Sequence, residues 1–436
     1  MEQTTVAIVG AGFAGLTTAR ALRARGIDVL VLESADRAGG RALTEVSAAG
    51  TPVDLGGQWI GRDHTRMSAL AGEFGMTLFP THTAGRTLMV DGTRGLETMP
   101  GTIAAAGVAL LGLELMARTG RGSDRTTVAD WVSRVPGRRA RRLLDVVLSE
   151  ALAIDLDQVS VRALTTGIES AGGLRAMLGT AGGAQDSLLS GGAGGLARAL
   201  AAELGARVHL NRRATAIMRT ADRVIVDTPA GPVRADRVVV TAPPPVAAGI
   251  RHDPPLPPER AAAERNTVMG VMYKAIAVYD APFWRERGLS GEIVSLDGPV
   301  PAAFDISPPG GPGHVGLLVP GRAARTLDEL TPTARRDTVL RALSRHLGDR
   351  IMNPLSWHEK SWHLDPHVGG GYSALPKPGH LSALTRAGAA TGRVHWAGTE
   401  TAPRWTGYFE GAVRSGERAA AEVMAALGFS ALTAKA

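Results

Sequence analysis

The clearest pattern of apolar and polar positions lies at the start of the chain. Residues 4–9 are apolar or β-branched throughout, which predicts a buried parallel strand rather than a half-exposed one. Gly10-Ala-Gly12-Phe-Ala-Gly15 follows at once, and residues 16–25 then predict a helix that stops at Gly26, a residue suited to a helix C-terminus. Residues 28–32 form a second apolar strand ending in Glu33. Strand, helix and strand in this order and at these lengths make a βαβ unit. Further along, residues 126–150 and 159–170 predict helices, 224–228 and 233–241 predict strands around a Pro-Ala-Gly turn, and 271–279 and 394–397 predict two more strands. Residues 253–258 are Pro-rich and mark a crossing between domains. A long helix is predicted over 407–427, because Phe409, Ala412, Val413, Gly416, Ala419, Ala420 and Val423 recur at spacings of three and four.

The longest apolar run, 103–117, is fifteen residues broken by Glu114, short of the roughly 20 that span a bilayer. It predicts a buried or cavity-lining helix. No leader precedes the first strand, and residues 428–436 are too short for an anchor, so the expectation is a soluble, cytoplasmic protein without a membrane anchor. At 436 residues, 44% apolar and 20% charged, the chain has the composition of a globular protein with room for two or three domains. The absence of cysteine excludes disulfides, thiolate metal sites, a cysteine nucleophile and any cofactor linked through sulfur. The net charge of +7 is spread along the chain, and its densest run (Arg134, Arg138, Arg139, Arg141, Arg142) reads as a solvated helix face. With 4% aromatic residues and no recognition motif, no nucleic-acid partner is expected. Only four lysines occur, and the first is Lys274, inside a predicted apolar strand.

The glycine motif has a specific chemistry. Gly10 permits a tight turn, Gly12 lets the backbone approach a pyrophosphate, and Gly15 allows a helix to pack closely on a strand. The phosphates would sit on the helix N-terminus, where free N–H groups favour negative charge. Glu33, eighteen residues after Gly15, is placed to accept from ribose hydroxyls.

Those residues leave NAD and FAD both open. Three further segments stand out: Arg37-Ala-Gly39-Gly40-Arg41, Asp54-Leu-Gly56-Gly57-Gln58-Trp59-Ile60-Gly61, and 395–412 with its Gly398-Thr399-Glu400 and Trp405-Thr-Gly407-Tyr408. Together they resemble the FAD-dependent amine oxidase family, and most of all its monoamine oxidase branch, over residues 4 to 425. The resemblance implies an α/β fold, α+β overall. A Rossmann-like FAD-binding domain would be built from discontinuous segments (1–82, 190–264, 365–430). An inserted substrate domain (83–189, 265–364) would carry a mixed sheet flanked by helices, and 431–436 would be a tail. It also implies that Glu33 binds the adenosine ribose, that Arg41 lies by the diphosphate, that Gly57, Gln58 and Trp59 line the isoalloxazine, and that Ala214 meets adenine through its backbone. Gly398, Thr399 and Glu400 would reach the ribityl chain, and Trp362 would pack near the flavin. The helix from Gly407, with Ala412 on its inner side, would aim its N-terminus at the flavin, where the reduced ring carries negative charge.

For catalysis the resemblance points to Lys274, Tyr372 and Tyr408. By strand alternation Lys274 shares a face with Met272, Ile276 and Val278, and burial there would disfavour its ammonium. An exposed edge strand is the alternative. The family's matching lysine holds a water at flavin N5. Tyr372 and Tyr408 match the two rings between which the family holds its amine, and ring faces attract such a group. Where animal monoamine oxidases bond a cysteine to the flavin, this chain has Gly371, so FAD is expected to be held non-covalently. Met177, Leu178, Gln185, Phe304 and His314 are candidates for the substrate cavity, with ordinary packing an equal alternative for each. His358, His363 and His367 lack a matching carboxylate pattern, so no metal site is expected.

The implied reaction is oxidation of an amine C–N bond to an imine, hydrolysed to aldehyde and amine or ammonia, with O2 reduced to H2O2. A flavin amine dehydrogenase with another acceptor is the nearer rival, and a non-catalytic FAD-binding protein the more distant one. The identity of the amine, its degree of substitution and the oligomeric state, a homodimer among the options, stay open.

Overall fold

The structure is a computed structural model and describes residues 1–385 and 387–429. Its first sheet has eight strands. Glu2–Val9 lies between Val29–Leu32 and Val233–Val240, parallel to both, and Val394–Trp396 adds in parallel beside Val233–Val240. Parallel strands covered on both faces call for continuous apolar runs, and Val6, Ala7, Ile8 and Val29 are fully buried. The helix Phe13–Arg23 begins three residues earlier than the apolar pattern indicates, because Gly12 takes an extended N-cap conformation directly after the strand. The C-terminal helix, Phe409–Ala426, packs across it, and Gly416 makes the close approach possible: a Cβ there would sit 2.5 Å from the Ala14 carbonyl oxygen.

The second sheet has seven strands, in the order Ser356–Ser361, Met272–Tyr279, Gly313–Pro320, Ala302–Asp305, Leu289–Ser295, Arg86–Asp91 and Arg94–Gly95. It is mixed, since Leu289–Ser295 pairs in parallel with Arg86–Asp91 and the other pairings are antiparallel. Met272–Tyr279 is an inner strand, buried along its whole length, so the edge-strand alternative for Lys274 falls away. Its alternation is as predicted. Tyr273, Ala275 and Ala277 pack on one side with Val339, Leu340 and Leu343, while Met272, Ile276 and Val278 join Leu55 and Phe304 on the other.

A helical cluster packs against the second sheet. The predicted helix over 126–150 is two helices, Val128–Ser133 and Arg138–Leu152, because Pro136 and the left-handed Gly137 (φ 87°) interrupt it. Val161–Ser170 opens with Ser160 accepting from the Ala163 N–H at 3.0 Å. The apolar run 103–117 forms the helix Pro100–Arg118, but it is not a buried helix. Ala106, Ala109, Leu113 and Ala117 face the core, while Val108, Leu111 and Leu115 are 62–70% exposed. By length and composition alone it is the one helix among the described residues that could cross a membrane. The predicted tail, 431–436, lies outside the described residues.

Candidate active site

A single cavity of about 940 Å³ runs from the first βαβ unit to the helical cluster. At one end it is lined by Gly10, Gly12, Glu33 and Ala214. Gly10 has a φ of 106°, and a Cβ on Gly15 would overlap the Gly10 carbonyl oxygen. Gly15 is therefore the packing glycine and does not itself line the cavity. The Glu33 carboxylate accepts the N–H of Ala11 at 2.7 Å and of Ala35 at 2.8 Å, which fixes it at the end of its strand. These are the surroundings a dinucleotide needs: open backbone at Gly12, a helix N-terminus and a carboxylate at ribose distance along the chain.

In the middle stand Arg41, Gly398, Thr399, Glu400 and Ala412. Arg41 and Glu400 form an ion pair of 2.7 Å, and the same Arg41 nitrogen donates to the Tyr372 carbonyl at 2.8 Å. Burial pushes the Glu400 carboxyl up, but Arg41 and the Ala374 N–H outweigh it and hold the group below its ordinary value. The sequence placed these two residues separately against the cofactor; their pairing across 359 positions carries no local signal.

Further in, Lys274 donates to the Gly56 carbonyl at 2.8 Å and to Gln58 Oε1, and its Nζ lies 5.9 Å from the Trp59 ring centre. Burial lowers it to about 7, against the pull of the buried Asp54. Gly57 has no room for a side chain, since a Cβ would lie 2.5 Å from the Phe409 ring. Trp362 donates its indole N–H to Leu55 O at 2.7 Å, and a Cβ on Gly371 would meet nothing closer than Trp362 at 3.9 Å.

Tyr372 and Tyr408 both line the cavity. Tyr408 stands at the N-cap position of the C-terminal helix, with Trp405 and His64 edge-on to its ring at 5.2 and 5.4 Å. Burial lowers His64 to about 4, and its Nδ1 accepts the Gly61 N–H at 2.8 Å. The Tyr372 hydroxyl donates to Glu150 Oε1 at 3.4 Å. Both phenols are raised, by burial first and by Glu150 second.

Of the five candidate substrate residues, Met177 and Gln185 line the cavity and three do not. Leu178 packs in the helical cluster, and Phe304 stands edge-on to Trp59 at 5.1 Å. His314 is buried with its Nε2 2.9 Å from Thr51 Oγ1. Phe304 packs with Trp59 and Leu318 beside the cavity, and of the strand Gly313–Pro320 it is Leu318, not His314, that lines it. Glu150 went unnoticed in the sequence, where one carboxylate between Leu148 and Leu152 on an amphipathic helix reads as solvated. His358 pairs with Glu45, His363 with Asp328, and His367 with Ser34, so the three histidines diverge.

Residues 13–424 match the family described as flavin containing amine oxidoreductase. A Mycobacterium tuberculosis protein assigned as flavin-containing monoamine oxidase AofH is 38% identical over 453 aligned positions, covering 97% of both chains. An L-amino acid dehydrogenase of Synechocystis is 31% identical, covering 96% of this chain and 94% of its own. Among solved structures, cyclohexylamine oxidase from Brevibacterium oxydans superposes with a TM-score of 0.91 at 29% identity, over 98% of this chain and 99% of the other.

Proposed function

Since the chain belongs to the flavin-containing amine oxidoreductase family, an FAD-binding enzyme family, we propose that it oxidises an amine RCH2NH2 with O2 and water to an aldehyde, ammonia and H2O2. Secondary amines would release an amine in place of ammonia. One observation carries this reading: the dinucleotide cradle, the buried Lys274 and the two tyrosines open into one continuous cavity.

The residues fit FAD. Gly10, Gly12 and Glu33 would hold the adenosine and pyrophosphate part, Gly398 and Thr399 the middle, and Gly57, Gln58 and Trp362 the ring. Bound FAD supplies the two-electron acceptor for the α-C–H of the amine. The protein's share is positional. Tyr372 and Tyr408 present ring faces to the amine, and Trp405 and His64 fix the orientation of Tyr408. Lys274, tied to Gly56 and Gln58, is the cation that faces the negative charge developing as oxygen is reduced. With glycine at 371 and no cysteine in the chain, FAD is held without a covalent bond.

Anaerobic addition of an amine to the yellow holoenzyme should bleach it, and air should restore the colour with one peroxide per amine. No bleaching by any member of a broad amine panel would remove the reading. The Synechocystis relative supports a second one, a dehydrogenase, in which bleached enzyme stays bleached in air and recovers its colour with a quinone or dye.

A further inference from the structure

Two carboxylates line the substrate side of the cavity. Glu169 is exposed at its mouth, and Glu150 lies inside, near the end of the helix Arg138–Leu152. Among the described residues no cation pairs with Glu150, and its carboxylate's only hydrogen bond is the long one from the Tyr372 hydroxyl to Oε1, which leaves Oε2 without a protein partner. Its charge acts on both Tyr372 and Tyr408, so it sits within electrostatic reach of both walls of the cage. The other acid facing it is Glu292, from the strand Leu289–Ser295, held by Thr87 at 3.2 Å. Of the cations lining the same cavity, Lys274 is tied to Gly56 and Gln58, Arg41 to Glu400, Lys360 to Asp365 and Arg37 to backbone carbonyls, while Arg213 and Arg404 are exposed.

An alkylamine is an ammonium ion in neutral water, yet only the free base can give up a hydride equivalent. An apolar cavity alone would leave the proton to be lost to bulk water before binding. Resting on the amine-oxidising reading above, we propose that Glu150 receives the substrate's ammonium and removes its proton, delivering a neutral amine to the tyrosine cage. The N–H bond breaks with its electron pair left on nitrogen, and an O–H bond forms on the carboxylate. A buried ion pair becomes a neutral pair, which low-dielectric surroundings favour. The proton returns to water at the mouth, beside Glu169, before the next turnover. Burial, with Glu292 adding to it and the Tyr372 hydrogen bond opposing, raises Glu150 to about 7, a proton affinity suited to this exchange.

The test compares 2-phenylethylamine with its β,β-difluoro analogue, which has nearly the same shape and is far less basic. With Glu150→Gln holoenzyme that keeps its flavin spectrum, anaerobic bleaching by 2-phenylethylamine at neutral pH should slow by about 100-fold. The loss should shrink as pH approaches the amine's own pKa, and the difluoro amine should be nearly unaffected. Proton uptake gives a second readout. In weakly buffered indicator at mildly alkaline pH, wild type should bind 2-phenylethylamine without releasing a proton, and Glu150→Gln should release one per amine bound. Equal losses for the two amines, or equal proton counts for the two proteins, would overturn the role of Glu150. Where 2-phenylethylamine does not bleach wild type, the pair is made from an amine of the panel that does and its less basic fluorinated analogue. No bleaching by any member of the panel would remove the amine-oxidising reading instead, and the proton count on binding would still decide Glu150.

Discussion

Lys274 shows what one buried cation does to the molecule. Its native pKa is lowered to about 7 by burial, against an ordinary 10.5. Between those values the unfolded chain binds a proton that the native protein has given up. The native state is therefore penalised most below pH 7, and gains stability as pH rises towards 10.5, by up to about 1.4 kcal/mol per pH unit. Lys274→Met removes the titration. The melting midpoint of the variant relative to wild type should be highest near neutrality and should fall steadily as pH rises through this window. A pH-independent difference would show that the lysine keeps its full affinity for the proton. The same variant should reoxidise more slowly in air, measured by stopped flow after anaerobic reduction. At this scale the sequence was informative for Lys274, because a rare residue in an apolar strand stands out. It was uninformative for Glu150, whose neighbours look like those of any surface carboxylate.

At the scale of elements, the C-terminal helix does more than cover the first sheet. Its fully buried Glu410 accepts the N–H of Met67 at 2.8 Å and of Arg66 at 3.2 Å, the first-turn donors of the helix Thr65–Glu73, and also Arg414 at 2.7 Å. Neither helix offers a local capping side chain for those amides, so the cap comes from the far end of the chain. Glu410→Ala should cost about 2–3 kcal/mol, with Glu410→Gln costing less because one acceptor remains, both read from denaturant unfolding. Helices with a mixed pattern were legible: 407–427 was expected and Phe409–Ala426 is found. Pro100–Arg118 was legible as a helix but not in its burial. Val108, Leu111 and Leu115 are as apolar as the residues beneath them, so the pattern did not say which side faces inward.

For the whole molecule, that exposed stripe stands apart from a surface otherwise rich in arginine. Replacing Val108, Leu111 and Leu115 together by glutamine removes nothing from the core, so the melting midpoint and flavin content should hold within experimental error. A large loss of either would mean that the helix packs inward more than its exposure shows. The strand order was beyond a reading of local pattern. Val233–Val240 inserts between Glu2–Val9 and Val394–Trp396, and nothing in those three apolar stretches specifies which pairs with which.

That insertion has a consequence for how the protein is made. The first βαβ unit leaves the ribosome early and contains the glycine cradle and Glu33. Arg41 nevertheless waits for Glu400, and the open edge of Val233–Val240 waits for Val394–Trp396. Through most of synthesis the nascent chain carries half a cofactor site and an unpaired apolar edge. The cavity's two halves are therefore joined only once residues 394–400 are in place, so a chain cut before them should keep the glycine cradle and Glu33 but lack Arg41's partner.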